Sequence, residues 1–322
     1  MRKALVVGIN SYPSAPLRGC INDATAFAVV IATDGDGTRN FDVRLHTDVP
    51  TKDALRGLIV ELFSGRHEIA LLYFSGHGFE DKLGVHLVTP DAKRNDAGIS
   101  MDELLLIANR SESENRVIIL DCCHAGALGT PGITGGEAAH IHQGVTILTA
   151  SKSDESAVEV NGHGIFTNLL IEALQGGAAD LNGSITPGSI YAYIDQALGA
   201  WYQRPVFKTN ITQFARLRRV PTPVPPDILR KLADYFPSPE KEYALDPSYE
   251  HTNDEHVKPL LVQPYAIPEN VAVFKNLQKF LSVGLVTPVG TPHLYFAAME
   301  SRSCRLTALG YHYWRLVKEH RI

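Results

Sequence analysis

The sequence is poor in cysteine and lacks long apolar runs, and each of these shortages excludes a class of protein. Only four of its 322 residues are cysteine, which is too few for the disulfide framework that stabilises many small secreted domains. No apolar run approaches the roughly 18 residues that a membrane-spanning helix requires. We therefore expect a cytoplasmic protein with reduced thiols and no membrane partner.

The sequence also lacks an excess of positive charge. Its formal net charge is −5 at pH 7, whereas proteins that bind nucleic acids or anionic membranes as a whole are usually strongly basic. Hydrophobic residues make up 44% of the chain, which is ordinary for a globular protein. The length suffices for one large domain and a smaller one.

Short apolar runs alternate with amphipathic segments over the first two thirds of the chain. The apolar runs predict strands at residues 3–9, 41–45, 68–74, 85–88, 116–120, 145–149 and 205–207. The amphipathic segments predict helices at residues 20–31, 52–63, 100–108, 166–174 and 190–198. Strands that alternate with helices indicate an α/β fold, in which a mostly parallel sheet is flanked by helices.

A proline-rich stretch interrupts this alternation. The stretch contains Pro221, Pro223, Pro225 and Pro226. Such prolines cannot continue a helix or a central strand. We predict a large first domain over residues 1–218, a Pro-rich linker over 219–240 and a small C-terminal recognition or regulatory domain over 241–322.

The C-terminal stretch has the pattern of a small α+β domain. Helices are predicted at residues 270–281 and 306–317, and a strand is predicted at 294–298, an order that would suit a winged-helix-like module. Its basic residues are interleaved with aromatic ones, which is compatible with nucleic-acid binding. The same pattern fits a regulatory protein partner or a solvated face over an aromatic core, and we favour the regulatory partner.

Two short motifs follow predicted strands and contain the residues that could carry chemistry. Ser75-Gly76-His77-Gly78 ends the strand at 68–74, and the segment at 121–126 that contains Cys123 ends the strand at 116–120. In a parallel sheet, functional groups gather beyond the carboxyl ends of the strands. A thiol is a weak nucleophile until it loses its proton, and a neighbouring imidazole can take that proton.

These motifs predict a catalytic pair. His77 is the candidate general base and Cys123 the candidate nucleophile. The glycines that flank His77 leave room for a substrate backbone, and the main-chain N–H groups of Gly78 and Cys123 are candidate oxyanion donors.

A metal site is the competing interpretation of Cys122-Cys123-His124. Three consecutive residues cannot easily converge on one tetrahedral ion, and structural zinc sites space their ligands by two to four residues. We therefore predict no bound metal and no cofactor.

Together, the motifs resemble the catalytic blocks of metacaspases and bacterial caspase-like cysteine proteases. The resemblance rests on residues 73–78 (Tyr-Phe-Ser-Gly-His-Gly) and 121–126 (Asp-Cys-Cys-His-Ala-Gly), and residues 17–24 are similar to an early metacaspase block. It covers about the first two thirds of the chain. The resemblance implies a caspase-like fold and a cysteine endopeptidase with His77 and Cys123 as its dyad.

The resemblance also implies a substrate preference. In metacaspases the pocket for the residue before the scissile bond is acidic, and the matching positions here are Cys20, Asp23, Ser75 and Asp121. Two carboxylates and a hydroxyl suit a guanidinium group, which binds planar acceptors. The expected substrates are therefore proteins or peptides with Arg or Lys before the scissile bond.

The sequence departs from many metacaspases in two loops. Calcium prefers six to eight oxygen ligands, but the segment after His77 offers mainly Glu80 and Asp81, so we predict calcium-independent activity. The loop over residues 127–144, where relatives are cleaved for activation, contains no Lys or Arg. Self-cleavage inside this loop is therefore not expected.

Two other functions fit the same sequence. One is a non-catalytic adaptor or scaffold with a caspase fold, because a fold alone does not establish activity. The other is a nucleic-acid-binding regulator that acts through its C-terminal module. The presence of both His77 and Cys123 favours the enzyme.

Overall fold

The computed structural model describes residues 1–81, 84–93, 96–122, 141–150, 159–160, 163–199, 205–254 and 261–322. The chain folds as two units, Met1–Pro221 and Thr222–Ile322, and each is described by itself. No helix within the described ranges combines the length and the apolar character needed to cross a membrane.

The first unit is organised around a central sheet. Its elements are β1 (Arg2–Gly8), α1 (Cys20–Ala32), β2 (Asp42–Thr47), α2 (Lys52–Phe63), β3 (Ile69–Ser75), β4 (Gly78–Asp81), β5 (Gly84–Lys93), β6 (Asp96–Ser100), α3 (Met101–Arg110), β7 (Asn115–Asp121), β8 (Val145–Thr149), β9 (Glu159–Val160), β10 (His163–Gly164), α4 (Ile165–Glu172), a π-helical turn (Ala173–Gly177), β11 (Ser184–Ile185), α5 (Pro187–Leu198), β12 (Val206–Asn210) and β13 (Arg218–Arg219).

The central sheet is mostly parallel, as the sequence predicts. Among the described residues, six strands form it in the order β12-β8-β7-β3-β1-β2. The edge strand β12 runs antiparallel to β8, and every other neighbouring pair is parallel. The predicted α/β fold with flanking helices is therefore confirmed.

The inner strands of the central sheet are buried on both faces. All seven residues of β3 are buried. Along β1, Leu5 and Val7 belong to the core that contains α2 and α3, whereas Ala4 and Val6 belong to the core that contains α1, α4 and α5. Alternate side chains of a strand point to opposite faces, so a strand covered on both faces needs an uninterrupted apolar run.

A second, antiparallel sheet follows directly after β3. It consists of β4, β5 and β6, with β5 in the middle. The strand expected at residues 85–88 is part of the longer β5. The main-chain N–H of Val88 donates to the carbonyl of His77 at 3.0 Å, and this bond connects β5 to the segment between β3 and β4.

The second unit is a small α+β fold, which confirms the predicted class. Its elements are α6 (Pro226–Arg230), α7 (Leu232–Tyr235), β14 (Tyr243–Ala244), a 3₁₀ turn (Pro247–Tyr249), α8 (Pro268–Ser282), β15 (Val286–Val289), α9 (Leu294–Met299), β16 (Ser303–Leu306) and α10 (Ala308–Lys318). β16 pairs antiparallel with both β14 and β15. Phe236, Phe274 and Phe280 are fully buried in this unit.

The prediction of a strand at residues 294–298 is wrong, because this segment forms the helix α9. Its aromatic residues favour a strand by intrinsic preference. However, Leu294, Ala297 and Ala298 are the buried residues, and this spacing puts them on one face of a helix. Packing of that face overrides the local preference, and α9 connects β15 to its antiparallel partner β16.

Part of the proline-rich stretch is helical rather than extended. Residues 226–235, within the stretch predicted as a linker over 219–240, form α6 and α7 of the second unit. Pro225 stands at the N-cap of α6 and Pro226 in its first turn. The missing N–H of proline is harmless there, because the first N–H groups of a helix have no intrahelical partner.

Gly8 ends β1 and allows α1 to approach the sheet. A Cβ at this position would lie 2.4 Å from the carbonyl oxygen of Cys20 and 2.7 Å from the Cβ of Ala24. Real Cβ atoms do not approach other atoms so closely, so any larger residue would push the start of α1 away from β1.

We predict that Gly8→Ala lowers the free energy of unfolding by about 1–3 kcal/mol, because overpacking forces the backbone to move. Urea unfolding measures the change. The matched control is Gly57→Ala, since Gly57 lies exposed within α2 and its added Cβ would meet nothing within 4 Å. In a helix this substitution stabilises by about 0.5–1 kcal/mol. Equal unfolding midpoints for the two variants would contradict the close approach of α1 to Gly8.

Candidate active site

The two predicted motifs leave the central sheet at the same edge. In the parallel pairing of β3 with β7, Ser75 lies opposite Asp121, and Gly8 of β1 lies opposite Ser75 on the other side. His77 follows two residues after Ser75. Cys123 follows two residues after Asp121 and lies outside the described residues, so its thiol and its N–H group stay predictions.

The imidazole of His77 is held by a main-chain carbonyl. Its Nε2 lies 2.7 Å from the carbonyl oxygen of Ala15, in the loop between β1 and α1. A carbonyl oxygen can only accept a hydrogen bond, so Nε2 carries the proton in the neutral ring. Nδ1 is then the nitrogen with a lone pair, and it is the atom that can take a proton from another group.

Tyr12 packs against the same imidazole. The two ring centroids are 4.6 Å apart in an edge-to-face arrangement. The Tyr12 hydroxyl accepts from the main-chain N–H of His77 at 3.0 Å and donates to the carbonyl of Val88 at 3.2 Å. Burial raises the pKa of this hydroxyl well above its ordinary value, so the hydroxyl keeps its proton and its role as donor.

Gly76 is needed for this contact. A Cβ at position 76 would lie 2.5 Å from the Tyr12 hydroxyl and 2.9 Å from the ring of Phe74. The glycine before His77 therefore allows the tyrosine to approach the segment that carries the imidazole.

Asn10 organises the loop that contains Tyr12 and Ala15. Its side-chain oxygen accepts from the N–H of Cys20 at 3.1 Å, and its side-chain nitrogen donates to the carbonyl of Arg18 at 3.1 Å. The N-cap position of α1 is Gly19, which has no side chain to cap the helix. Asn10 supplies that cap from outside the helix.

Asp48 ties the beginning of this loop to the end of β2. Its Oδ1 accepts from the N–H groups of Asn10 and Ser11, at 2.8 Å and 2.9 Å, and its Oδ2 accepts from the Ser11 hydroxyl. These bonds favour the charged form and hold the pKa of the Asp48 carboxyl below its ordinary value, although its partial burial acts in the opposite direction. The loop is thus fixed at both ends.

Two of the predicted pocket residues face each other near Gly164. A Cβ on Gly164 would lie 3.2 Å from Oδ2 of Asp121 and 3.4 Å from Oδ2 of Asp23. The Gly164 N–H donates to Asp23 at 3.2 Å, and the Thr167 hydroxyl donates to Asp121 at 2.6 Å. Because Gly164 is the N-cap of α4, both carboxylates receive hydrogen bonds from the first turn of one helix.

The acidity of Asp121 reflects these surroundings. Its pKa is raised to about 7, mainly by burial and to a smaller extent by the nearby charge of Asp23, while the hydrogen bond from Thr167 acts in the opposite direction. Asp23 itself is only 3% exposed. A positive group brought between the two carboxyls would favour the ionised form of Asp121 and lower its pKa.

The other predicted site residues lie around the same edge. Ser75 is 1% exposed at the end of β3, and the half-buried Cys20 begins α1 beside Gly8. Gly78 is half-buried at the start of β4. Within the ranges that the structure describes, no group of three or more His, Cys, Asp or Glu residues could hold a metal ion.

Sequence reasoning missed three contributors to this site. The Ala15 carbonyl is a main-chain atom, so no residue type could reveal it. Tyr12 and Thr167 carry no motif of their own. The only available signal for Tyr12 was its position after β1, since loops that follow parallel strands surround the site in this class of fold.

The first unit matches the model of a known protein family. The model of a family described as caspase domain matches residues 1–215. No curated protein matches the chain. Among solved structures, protein GSU0716 from Geobacter sulfurreducens is 17% identical, with a TM-score of 0.49, and the match covers 68% of this chain and 98% of that one.

We predict that neutral His77 carries its proton on Nε2, because the Ala15 carbonyl can only accept. Two-dimensional ¹H–¹⁵N correlation spectra of histidine rings distinguish the two tautomers, and His77→Asn assigns the signal by its disappearance. A neutral ring with the proton on Nδ1 would contradict the hydrogen bond to Ala15.

Proposed function

The chain belongs to the caspase-domain family, and we propose that it is a cysteine endopeptidase that cleaves after Arg or Lys. The family is one of cysteine peptidases, which implies protein or peptide substrates. The observation that carries the proposal is the hydrogen bond from His77 Nε2 to the Ala15 carbonyl. It leaves Nδ1 as a base at the edge of the sheet where β7 leads into Cys123.

In the proposed mechanism, Nδ1 of His77 accepts the thiol proton of Cys123. The thiolate attacks the scissile carbonyl, and the N–H groups of Gly78 and Cys123 bind the oxyanion that develops. His77 then donates its proton to the leaving amine, and water hydrolyses the thioester. While the imidazole is protonated, Nε2–H still donates to Ala15, so the ring keeps one orientation throughout.

The paired carboxyls support the proposed preference for basic residues. Asp23 and Asp121 face one glycine, where the charged end of an Arg or Lys side chain would donate hydrogen bonds to both carboxylates. A guanidinium group makes charge-assisted hydrogen bonds with carboxylates, which are about twice as strong as neutral ones. We propose Cys20 and Ser75 as further contacts for the same substrate side chain.

Two further features belong to the proposal. The activity is calcium-independent, because the segment after His77 offers few acidic residues. Residues 241–322 regulate the enzyme through a partner. Neither feature changes the roles of His77 and Cys123.

A panel of fluorogenic peptides tests the endopeptidase directly. We expect turnover when Arg or Lys precedes the reporter, and at least about a hundredfold lower kcat/KM when Asp precedes it, because an acidic side chain would meet two carboxylates. Cys123→Ala and His77→Ala should each lower kcat by about a thousandfold or more. Asp121→Asn should lower kcat/KM for the Arg peptide by about ten- to a hundredfold, through KM.

The controls separate this function from its alternatives. The Arg peptide is assayed in calcium and in an excess of chelator, and equal rates are expected. Loss of turnover on chelation would contradict the proposed calcium independence. No turnover of any peptide would favour the non-catalytic adaptor, and a preference for Asp would overturn the pocket assignment.

The proposed preference also predicts where the enzyme does not cut itself. The loop over residues 127–144 contains no Lys or Arg, so mass spectrometry of the active protein should find no cut within it. The matched control is Thr134→Arg, which introduces one basic residue and should create a cut after position 134. That cut should disappear in the double variant with Cys123→Ala. A cut in the unaltered loop would contradict the preference.

A further inference from the structure

A chain of hydroxyl groups extends from Asp121 into the core. Thr167 Oγ1 donates to Oδ2 of Asp121 at 2.6 Å and lies 2.6 Å from the Tyr73 hydroxyl. Thr167 has one hydroxyl hydrogen, and it is used on Asp121, so the Tyr73 hydroxyl donates to Thr167. The hydrogen bonds therefore run in one direction, from Tyr73 through Thr167 to the carboxyl group.

This chain is isolated from solvent. Thr167 and Tyr73 are both 0% exposed. The Tyr73 ring is stacked on Phe27, with centroids 4.4 Å apart and planes 15° apart, which fixes the position of its hydroxyl. Hydrogen bonds in such surroundings are stronger than in water, and the polarisation of one bond strengthens the next.

The chain connects four elements around one carboxyl group. Asp121 belongs to β7, Tyr73 to β3, Thr167 to α4, and Phe27 to α1. Among the described titratable groups, Asp23 of α1 raises the pKa of Asp121, and the charge of Asp121 in turn raises the pKa of Tyr73 of β3. Tyr73 stays neutral, because burial, the nearby Asp121 and Asp23 raise its pKa well above the ordinary value.

We propose that Thr167 and Tyr73 are positioning residues that present Asp121 as an ionised acceptor to the basic side chain of the substrate. The inference rests on the proposed function. A donor aimed at Oδ2 favours the charged carboxylate and leaves its other oxygen for the ligand. Without the donor, the negative charge of Asp23 and the burial of Asp121 both favour the protonated form, which binds a cation poorly.

The direction of the pH effect follows from this arrangement. Asp121 titrates near pH 7, so KM for an Arg substrate rises as the pH falls through that range. Removal of the Thr167 donor raises the pKa of Asp121, because one interaction that favours the charged form is lost. The acidic limb of the kcat/KM profile then moves to higher pH.

The experiment measures kcat and KM for an Arg peptide between pH 5.5 and 9 in the full chain. For Thr167→Val we expect KM at pH 7 to rise about tenfold, in line with the loss of one hydrogen bond to a charged group. For Tyr73→Phe we expect about a threefold rise. In both variants kcat should change by less than about twofold, and the acidic limb should move to higher pH.

Two control variants distinguish the effect of the lost Thr167 hydroxyl from the effect of a disturbed fold. Thr167→Ser keeps the hydroxyl and should restore most of the affinity and the position of the acidic limb. Thr25→Val makes the same change at an exposed threonine of α1 and should leave the profile unchanged. The inference would be overturned if folded Thr167→Val kept the acidic limb of its kcat/KM profile at the original pH, or if only its kcat decreased.

A binding measurement distinguishes failure of the inference from failure of the proposed function. Agmatine, a small guanidinium compound, is titrated by calorimetry into Cys123→Ala and into Cys123→Ala/Thr167→Val at several pH values. If no peptide is cleaved but agmatine binds, with a pH dependence that Thr167→Val shifts, the endopeptidase fails and the inference holds. Absence of agmatine binding at every pH would overturn the inference.

Discussion

The parallel pairing of β3 with β7 is the constraint on which the candidate site depends. Because Ser75 lies opposite Asp121, the segments that follow the two strands leave the sheet side by side. The same row continues to Gly8 of β1, where α1 begins close to the sheet. A shift of one residue in this register would move every side chain of a strand to the opposite face. All seven residues of β3 are buried, so such a shift would disrupt the close packing on both faces of the sheet.

Sequence patterns predicted the elements that have an uninterrupted apolar character. β1, β3, β7 and β8 lie within two residues of their predicted bounds, since burial on both faces imposes that character. β15 and β16 were not predicted, because short and partly exposed strands have little periodicity. α9 was predicted as a strand because its aromatic residues have a strand preference that its packing overrides.

The residues of the candidate site were proposed from the sequence, whereas their partners were not. His77 and the two aspartates are chemically distinctive residues near strand or helix ends, and the role of Cys123 stays a prediction. By contrast, the Ala15 carbonyl acts through the main chain, and Thr167 meets Tyr73 across 94 positions of sequence. Such contacts depend on how α4 packs against β3, which one sequence taken alone does not determine.

The carboxyl pair connects the stability of the fold with the proposed recognition of substrate. The pKa of Asp121 is raised by burial from its ordinary value of 3.8 to about 7, so the folded protein binds more protons than the unfolded chain between these two values. Its contribution to the free energy of unfolding is therefore largest at low pH and declines as the pH rises through that window. At higher pH the ionised carboxylate of Asp121 lies close to Asp23, and other interactions of the fold have to offset the repulsion between them. In the proposed function, a basic side chain between the two carboxylates would relieve this repulsion, whereas an acidic or apolar one would not. The burial that makes Asp121 costly to ionise would then also favour basic substrates over others.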